Sequence, residues 1–270
     1  RDEDRFETRL AAGSPAWLGE HRVHGRPVLP ATAFLEMALA AGARARPGED
    51  FAVRDLSIEE GIPLDEARTV QTVLEADGAV TFHARTSSGS PWRRHAVARL
   101  ELRGHEVGPA DLERLRAACS EPVDVDAFRR EAARHGIEYG PRFRGLARAW
   151  RGTDEALAEV HAPDSELRLG AASLDACLQT AGLLLAGLAL PISIERFASW
   201  PRPPGPSVWA HARLRSGGAS PSFDVSVYGP GGEPVAVAEG FRLRTAGGRT
   251  VAVDWLYDVD WPEATLEAAR

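Results

Sequence analysis

Two stretches of the chain are apolar on nearly every helical face. Residues 30–43 read PATAFLEMALAAGA, with Glu36 as the one charge. Residues 174–190 read LDACLQTAGLLLAGLAL, with Asp175, Gln179 and Thr180 as the polar positions. A helix without a polar face is covered on all sides, so both segments are predicted to be central helices. Pro30 suits the first turn of the first helix, where no N–H is needed. Ser173 is placed to cap the second and Pro191 to end it.

Elsewhere the apolar positions recur on a two-residue period. Strands are predicted at 51–58, 69–75, 80–86 and 94–102 after the first helix. Around the second helix they are predicted at 145–151, 156–161, 208–215, 223–228 and 235–244. Turn-forming clusters occupy 87–91, 152–155 and 229–233. The charged segment 105–123 reads as a linker containing a short helix, and an amphipathic helix is predicted at 125–135.

The chain thus divides into an N-terminal half (1–104), the linker (105–123), a C-terminal half (124–250) and an exit segment (251–270) leading toward a following domain. Each half holds one buried helix and several strands. A sheet wrapped round one central helix is the hot-dog architecture, and two copies in one chain form a pseudo-dimer. The expected fold is therefore α+β, a double hot dog, with an unrelated α+β domain as the alternative that periodicity leaves open.

Composition narrows the function classes. A net charge of −7 argues against a nucleic-acid surface. Cys119 and Cys177 are the two cysteines, too few for a disulfide scaffold and at no metal-ligand spacing. Cys177 lies in an apolar run and reads as a core residue. The cysteine usage points to a reducing, cytoplasmic compartment. The opening RDEDRFETRL is not a signal peptide. The longest apolar run, 183–192, is shorter than the ~20 residues of a membrane-spanning helix.

Candidate chemistry gathers in three segments. In residues 21–30, HRVHGRPVLP, His21 stands just before the first buried helix and Gly25 lets backbone approach a ligand. A Gly25 N–H near a helix N-terminus would favour a carbonyl oxygen gaining charge. His24 reads as an ordinary loop residue. In residues 174–179, LDACLQ, Asp175 and Gln179 are four apart and share one helix face. Residues 135–143, HGIEYGPRF, place Tyr139 before a Gly140-Pro141 turn and Phe143. A weaker stretch is Leu190-Pro191-Ile192-Ser193.

Together these segments resemble the dehydratase domains of modular polyketide synthases. His21, Gly25 and Pro30 match the family's HxxxGxxxxP motif, and Asp175 and Gln179 its DxxxQ motif. Residues 136–143 match GYxYGPxF, with Ile137 where the family has its first tyrosine. The resemblance runs roughly from Phe6 to Arg244.

It implies removal of water from a β-hydroxyacyl thioester, with His21 as base and Asp175 as acid. Gln179 would orient Asp175, and Tyr139 beside Gly140 would bond the hydroxyl or Asp175. The Pro30 carbonyl would hold the His21 tautomer, and the Gly25 N–H would polarise the thioester carbonyl. The implied substrate rides on the phosphopantetheine arm of an acyl carrier protein, with no metal or redox cofactor. The implied partners are that carrier, neighbouring synthase domains and a second copy of the chain, with no nucleic acid and no membrane. Added isomerase or ring-forming activity and a non-catalytic structural module stay open as alternatives.

Overall fold

Among the described residues four α-helices organise the fold: α1 (Ala31–Ala45), α2 (Leu112–Ala118), α3 (Val125–Arg134) and α4 (Ala171–Gly182). The computed structural model describes residues 3–104, 107–162, 169–185, 187, 189–201 and 205–245; the expected exit segment lies outside them. Pro30 is not in the first turn of α1. It is the N-cap residue, extended at ψ 149°. The helix is sealed around Phe34, Leu35 and Ala38, but Glu36 and Ala40 are exposed, so the expectation of burial on every side holds only in part.

The second helix is earlier and shorter than predicted. It starts after Gly170, which places Ser173 inside the first turn rather than at the cap. It ends at Gly182, and Ala189–Ser199 is a strand. An unbroken apolar run suits a buried helix and a buried strand equally, and periodicity does not separate them. Pro191 therefore ends no helix. It lies in that strand where the pairing register shifts, an irregularity that tolerates a missing N–H.

Among the described residues twelve strands form one sheet in the order Glu3–Leu10, Arg68–Glu75, Ala79–Arg85, Arg93–Leu102, Phe51–Ile58, Ala189–Ser199, Pro234–Thr245, Ser222–Tyr228, Ser207–Ser216, Glu155–His161, Leu146–Arg151, Glu121–Val123. The first five come from before the linker, the rest from its end onward. Phe51–Ile58 runs antiparallel to Ala189–Ser199, with Val53 opposite Phe197, and this seam makes the two halves continuous. Both sheet edges escaped the sequence pattern. Glu3–Leu10 is a charged strand, a composition that discourages further pairing at an edge. Glu121–Val123, assigned to the linker, pairs with Leu146–Arg151.

The sheet packs on α1 and α4. Phe34 of α1 meets Phe82 edge-on at 5.1 Å. Gly42 lies against Phe51, whose ring would be 2.8 Å from an added Cβ. Cys177 is fully buried, as its apolar surroundings predict. No described helix is long and apolar enough to cross a membrane.

The starts of the two central helices are tied together. Thr32 Oγ1 donates to the Ala171 carbonyl at 2.9 Å, and Thr32 is fully buried. Thr32→Val keeps the shape and removes that hydrogen bond, so unfolding free energy is expected to fall by about 0.5–1.5 kcal/mol. Urea titration will read this as a lower midpoint with an unchanged slope.

Candidate active site

His21 opens a short strand, His21–Val23, that follows a 3-10 turn at Ala16–Glu20. This strand pairs on one side with Arg26–Pro27 and on the other with Ile137–Tyr139. The second pairing sets His21 directly opposite Tyr139, so a three-stranded sheet brings two of the candidate segments together across the halves. Two glycines make it possible. Gly25, at φ 77°, follows His24 at φ 50° in a two-residue hairpin loop, where both positions need positive φ. Gly140 lies where a Cβ would come within 2.5 Å of Glu20 Cβ, and its N–H donates to the Glu20 carbonyl at 2.7 Å. Arg22 locks the hairpin by donating to the Gly19 and Gly25 carbonyls. His24, an exposed loop residue, packs over Gly136.

His21 Nδ1 lies 2.9 Å from the Val28 carbonyl oxygen. A carbonyl only accepts, so Nδ1 carries the hydrogen, and in the neutral ring Nε2 is the free base. This corrects the expectation for Pro30. The Pro30 carbonyl is occupied by the Ala33 N–H at 3.0 Å, in the opening turn of α1. The Phe143 and Tyr139 rings flank the imidazole, with centroids at 5.2 and 6.2 Å.

Asp175 stands in the second turn of α4, and Gln179 follows one turn later on the same face. Gln179 Nε2 donates to Asp175 Oδ1 at 2.9 Å and to the Phe143 carbonyl at 3.0 Å. Both amide hydrogens are thereby used, and the side chain is held by the segment that carries Tyr139. Burial pushes the Asp175 carboxyl well above the usual carboxylate range; the nearby His21 and the Gln179 hydrogen bond pull the other way but are the smaller influences. Burial also raises the Tyr139 phenol, with the Asp175 charge adding to it, so Tyr139 stays a hydrogen-bond donor.

His21, Tyr139, Asp175 and Gln179 line one cavity of about 140 Å³. Its other walls are largely apolar, with Glu131 as the charged exception, and come from both halves, among them Phe34, Leu178, Phe241 and Leu243. Gly25, Pro30 and Gly140 are not on its lining. They shape the backbone around the site. Ala31, the first residue of α1, does line it. Sequence reasoning missed the Val28 carbonyl, which carries no side-chain signal. It also gave no role to Phe143, although its place in the third motif was the available sign.

A sequence profile described as polyketide synthase dehydratase N-terminal domain matches residues 107–252, and one described as polyketide synthase dehydratase domain matches residues 1–88. The chain is 31% identical to polyketide synthase GfsE of Streptomyces halstedii over 99% of its own length and 8% of that protein's. It is 35% identical to the phthioceranic/hydroxyphthioceranic acid synthase of Mycobacterium tuberculosis, over 72% of the chain and 10% of the synthase. The chain therefore spans about a tenth or less of the length of these relatives.

Among solved structures, the dehydratase domain of the CurF module of curacin polyketide synthase superposes with TM-score 0.80 at 28% identity, over 91% of this chain and 94% of that one. Inactive His-to-Phe and Asp-to-Asn mutants of the CurK dehydratase each superpose with TM-score 0.82, at 25% and 26% identity, over 92% and 91% of this chain and 94% of theirs. The architecture is the double hot dog expected from the sequence.

The raised Asp175 carboxyl has a consequence for stability. The unfolded chain ionises it at the ordinary value, whereas the folded chain resists ionisation, so stability falls as pH rises between the two. Asp175→Asn removes the titration with little change of shape. The Tm of the variant at neutral pH is expected to exceed that of the parent and to vary less with pH; calorimetry from pH 5 to 8 checks both.

Proposed function

The chain belongs to the polyketide synthase dehydratase family, and from that premise we propose that His21 and Asp175 are its acid–base pair. The domain is a hydro-lyase. The observation that carries the assignment is that an imidazole from the N-terminal half and a carboxyl from the C-terminal half share one largely apolar cavity. Burial there keeps the carboxyl protonated, as an acid must be before it donates.

The reaction follows from the protons. His21 Nε2 takes the proton α to the thioester carbonyl. Electrons move into the new α,β double bond, and the β-hydroxyl leaves with the proton of Asp175 as water. The site then holds an imidazolium and a carboxylate, and return of one proton resets it. The hydrogen bond to Val28 keeps the imidazole in the tautomer with Nε2 free. Gln179 occupies Asp175 Oδ1, leaving Oδ2 for the transferred proton. Tyr139 donates to the departing hydroxyl. The start of α1, where Ala31 lines the cavity, takes the polarising role that the sequence assigned to Gly25, because a helix N-terminus favours a carbonyl gaining negative charge.

The substrate is a β-hydroxyacyl thioester carried on the phosphopantetheine arm of an acyl carrier protein, and the residues named supply the chemistry without a metal or redox cofactor. The relatives are synthases many times longer than this chain, which supports neighbouring domains as partners. A homodimer is the expected assembly. The inactive His-to-Phe and Asp-to-Asn CurK dehydratases support the same two residue types as essential.

The test is turnover of a synthetic β-hydroxyacyl thioester, with the product identified by mass spectrometry and NMR. His21→Ala and Asp175→Asn should each lower kcat by ~10²–10⁴-fold while the domain stays folded. Near-normal turnover by either variant refutes the pair.

In the parent, activity requires protonated Asp175, so the rate should fall as pH rises through the raised carboxyl value. Gln179→Leu loses one hydrogen bond to the carboxyl. It should lower kcat by roughly 10–100-fold and move the alkaline limb to higher pH, because that bond favours the ionised form.

A further inference from the structure

We propose that Cys119, Glu155 and His211 form a structural Zn²⁺ site on the sheet of the C-terminal half, apart from the cavity that holds His21 and Asp175. The sulfur of Cys119, a carboxylate oxygen of Glu155 and a ring nitrogen of His211 all lie within 4.8 Å of one another. None of the three lines the active cavity.

The fold assembles them from three places. Strands Glu155–His161 and Ser207–Ser216 pair with Leu157 opposite His211, so Glu155, two residues from Leu157, projects on the same face as His211. Cys119 arrives from the other side, as the residue that closes α2 just before the edge strand Glu121–Val123. The turn that leads into Glu155 fits under it because Gly152 has no side chain: a Cβ there would lie 2.8 Å from the Ala118 carbonyl oxygen.

The donor set suits zinc. Thiolate, imidazole and carboxylate together select a borderline-soft ion over Ca²⁺ or Mg²⁺, which prefer oxygen alone. Thiolate and carboxylate balance the two charges of the ion. Bonds of about 2.3 Å to sulfur and about 2.0–2.2 Å to nitrogen and oxygen put tetrahedral donors about 3.3–3.8 Å apart. The present spread needs a contraction of about an ångström. The 2.7 Å hydrogen bond between His211 Nε2 and Glu155 Oε2 would open by a similar amount to admit the ion. The Glu155 and His211 side chains are partly exposed, which leaves a path for the ion and room for a water as fourth ligand.

A Cys–His–Glu nucleophile is the competing use of these residues. Cys119 is fully buried, and burial pushes its thiol up to about 11, the opposite of an activated thiolate. An ion here would clip the end of α2 to two strands distant in sequence and hold down the edge of the sheet, with no part in water elimination.

Spectroscopy on the 270-residue chain decides the matter. After chelation and dialysis, Co²⁺ should bind one per chain. It should give sulfur-to-cobalt absorption in the near ultraviolet and the visible bands of four-coordinate cobalt, and Zn²⁺ should displace it. Zn²⁺ should raise Tm and Mg²⁺ should not. Cys119→Ser should abolish the near-ultraviolet band, and Glu155→Gln and His211→Gln should abolish stoichiometric binding while dehydratase turnover is retained. Absence of the bands in the parent, their survival in His211→Gln or Glu155→Gln, or a Tm indifferent to Zn²⁺ overturns the proposal. The two partly exposed positions keep the test decisive if Cys119→Ser does not fold.

Discussion

The proposed acid, Asp175, has to remain uncharged in the presence of a histidine, and this is the constraint on which the proposed chemistry of the domain depends. Asp175 can satisfy it only where water is scarce, so it sits on a helix enclosed by a sheet. Removing water is not sufficient, because a buried carboxyl without partners would have no fixed direction. Gln179 supplies the direction, and the Phe143 carbonyl fixes Gln179 in turn. The imidazole is treated in the same way, with a main-chain carbonyl at one ring nitrogen and aromatic rings beside it. Each of the two proposed reacting groups is thus oriented by an atom outside the proposed reaction.

Two connections between the halves make this arrangement possible. The large one is the seam of Phe51–Ile58 with Ala189–Ser199, which turns two sheets into one. The small one is the pairing of His21–Val23 with Ile137–Tyr139. The small one bears on the proposed chemistry, since it sets His21, the proposed base, beside Tyr139 of the other half. It tolerates no side chain at position 140 and requires positive φ in the His24–Gly25 loop. The glycines of the motifs are therefore best understood as conditions on the backbone path.

Much of this was legible in the sequence for a physical reason. The strand at Arg93–Leu102 largely alternates between buried and exposed positions, so its bounds could be read to within a residue. Asp175 and Gln179 are local to one helix, and helical geometry alone places them together. Ala189–Ser199 was misread because a strand covered on both faces loses its alternation. Glu3–Leu10 was missed because an exposed edge strand has little apolar pattern to lose.

What the sequence by itself determined was therefore local: the periodicity of half-buried elements, the helical spacing of Asp175 and Gln179, and the motifs whose order names the family. The tertiary structure alone decided which carbonyl holds His21, that Gly25, Pro30 and Gly140 stand off the cavity wall, and that Cys119 approaches Glu155 and His211. These depend on contacts between residues far apart in the chain, made partly by backbone atoms that every residue carries. A backbone carbonyl has no letter of its own in the sequence, and only the folded path shows which one points at the imidazole.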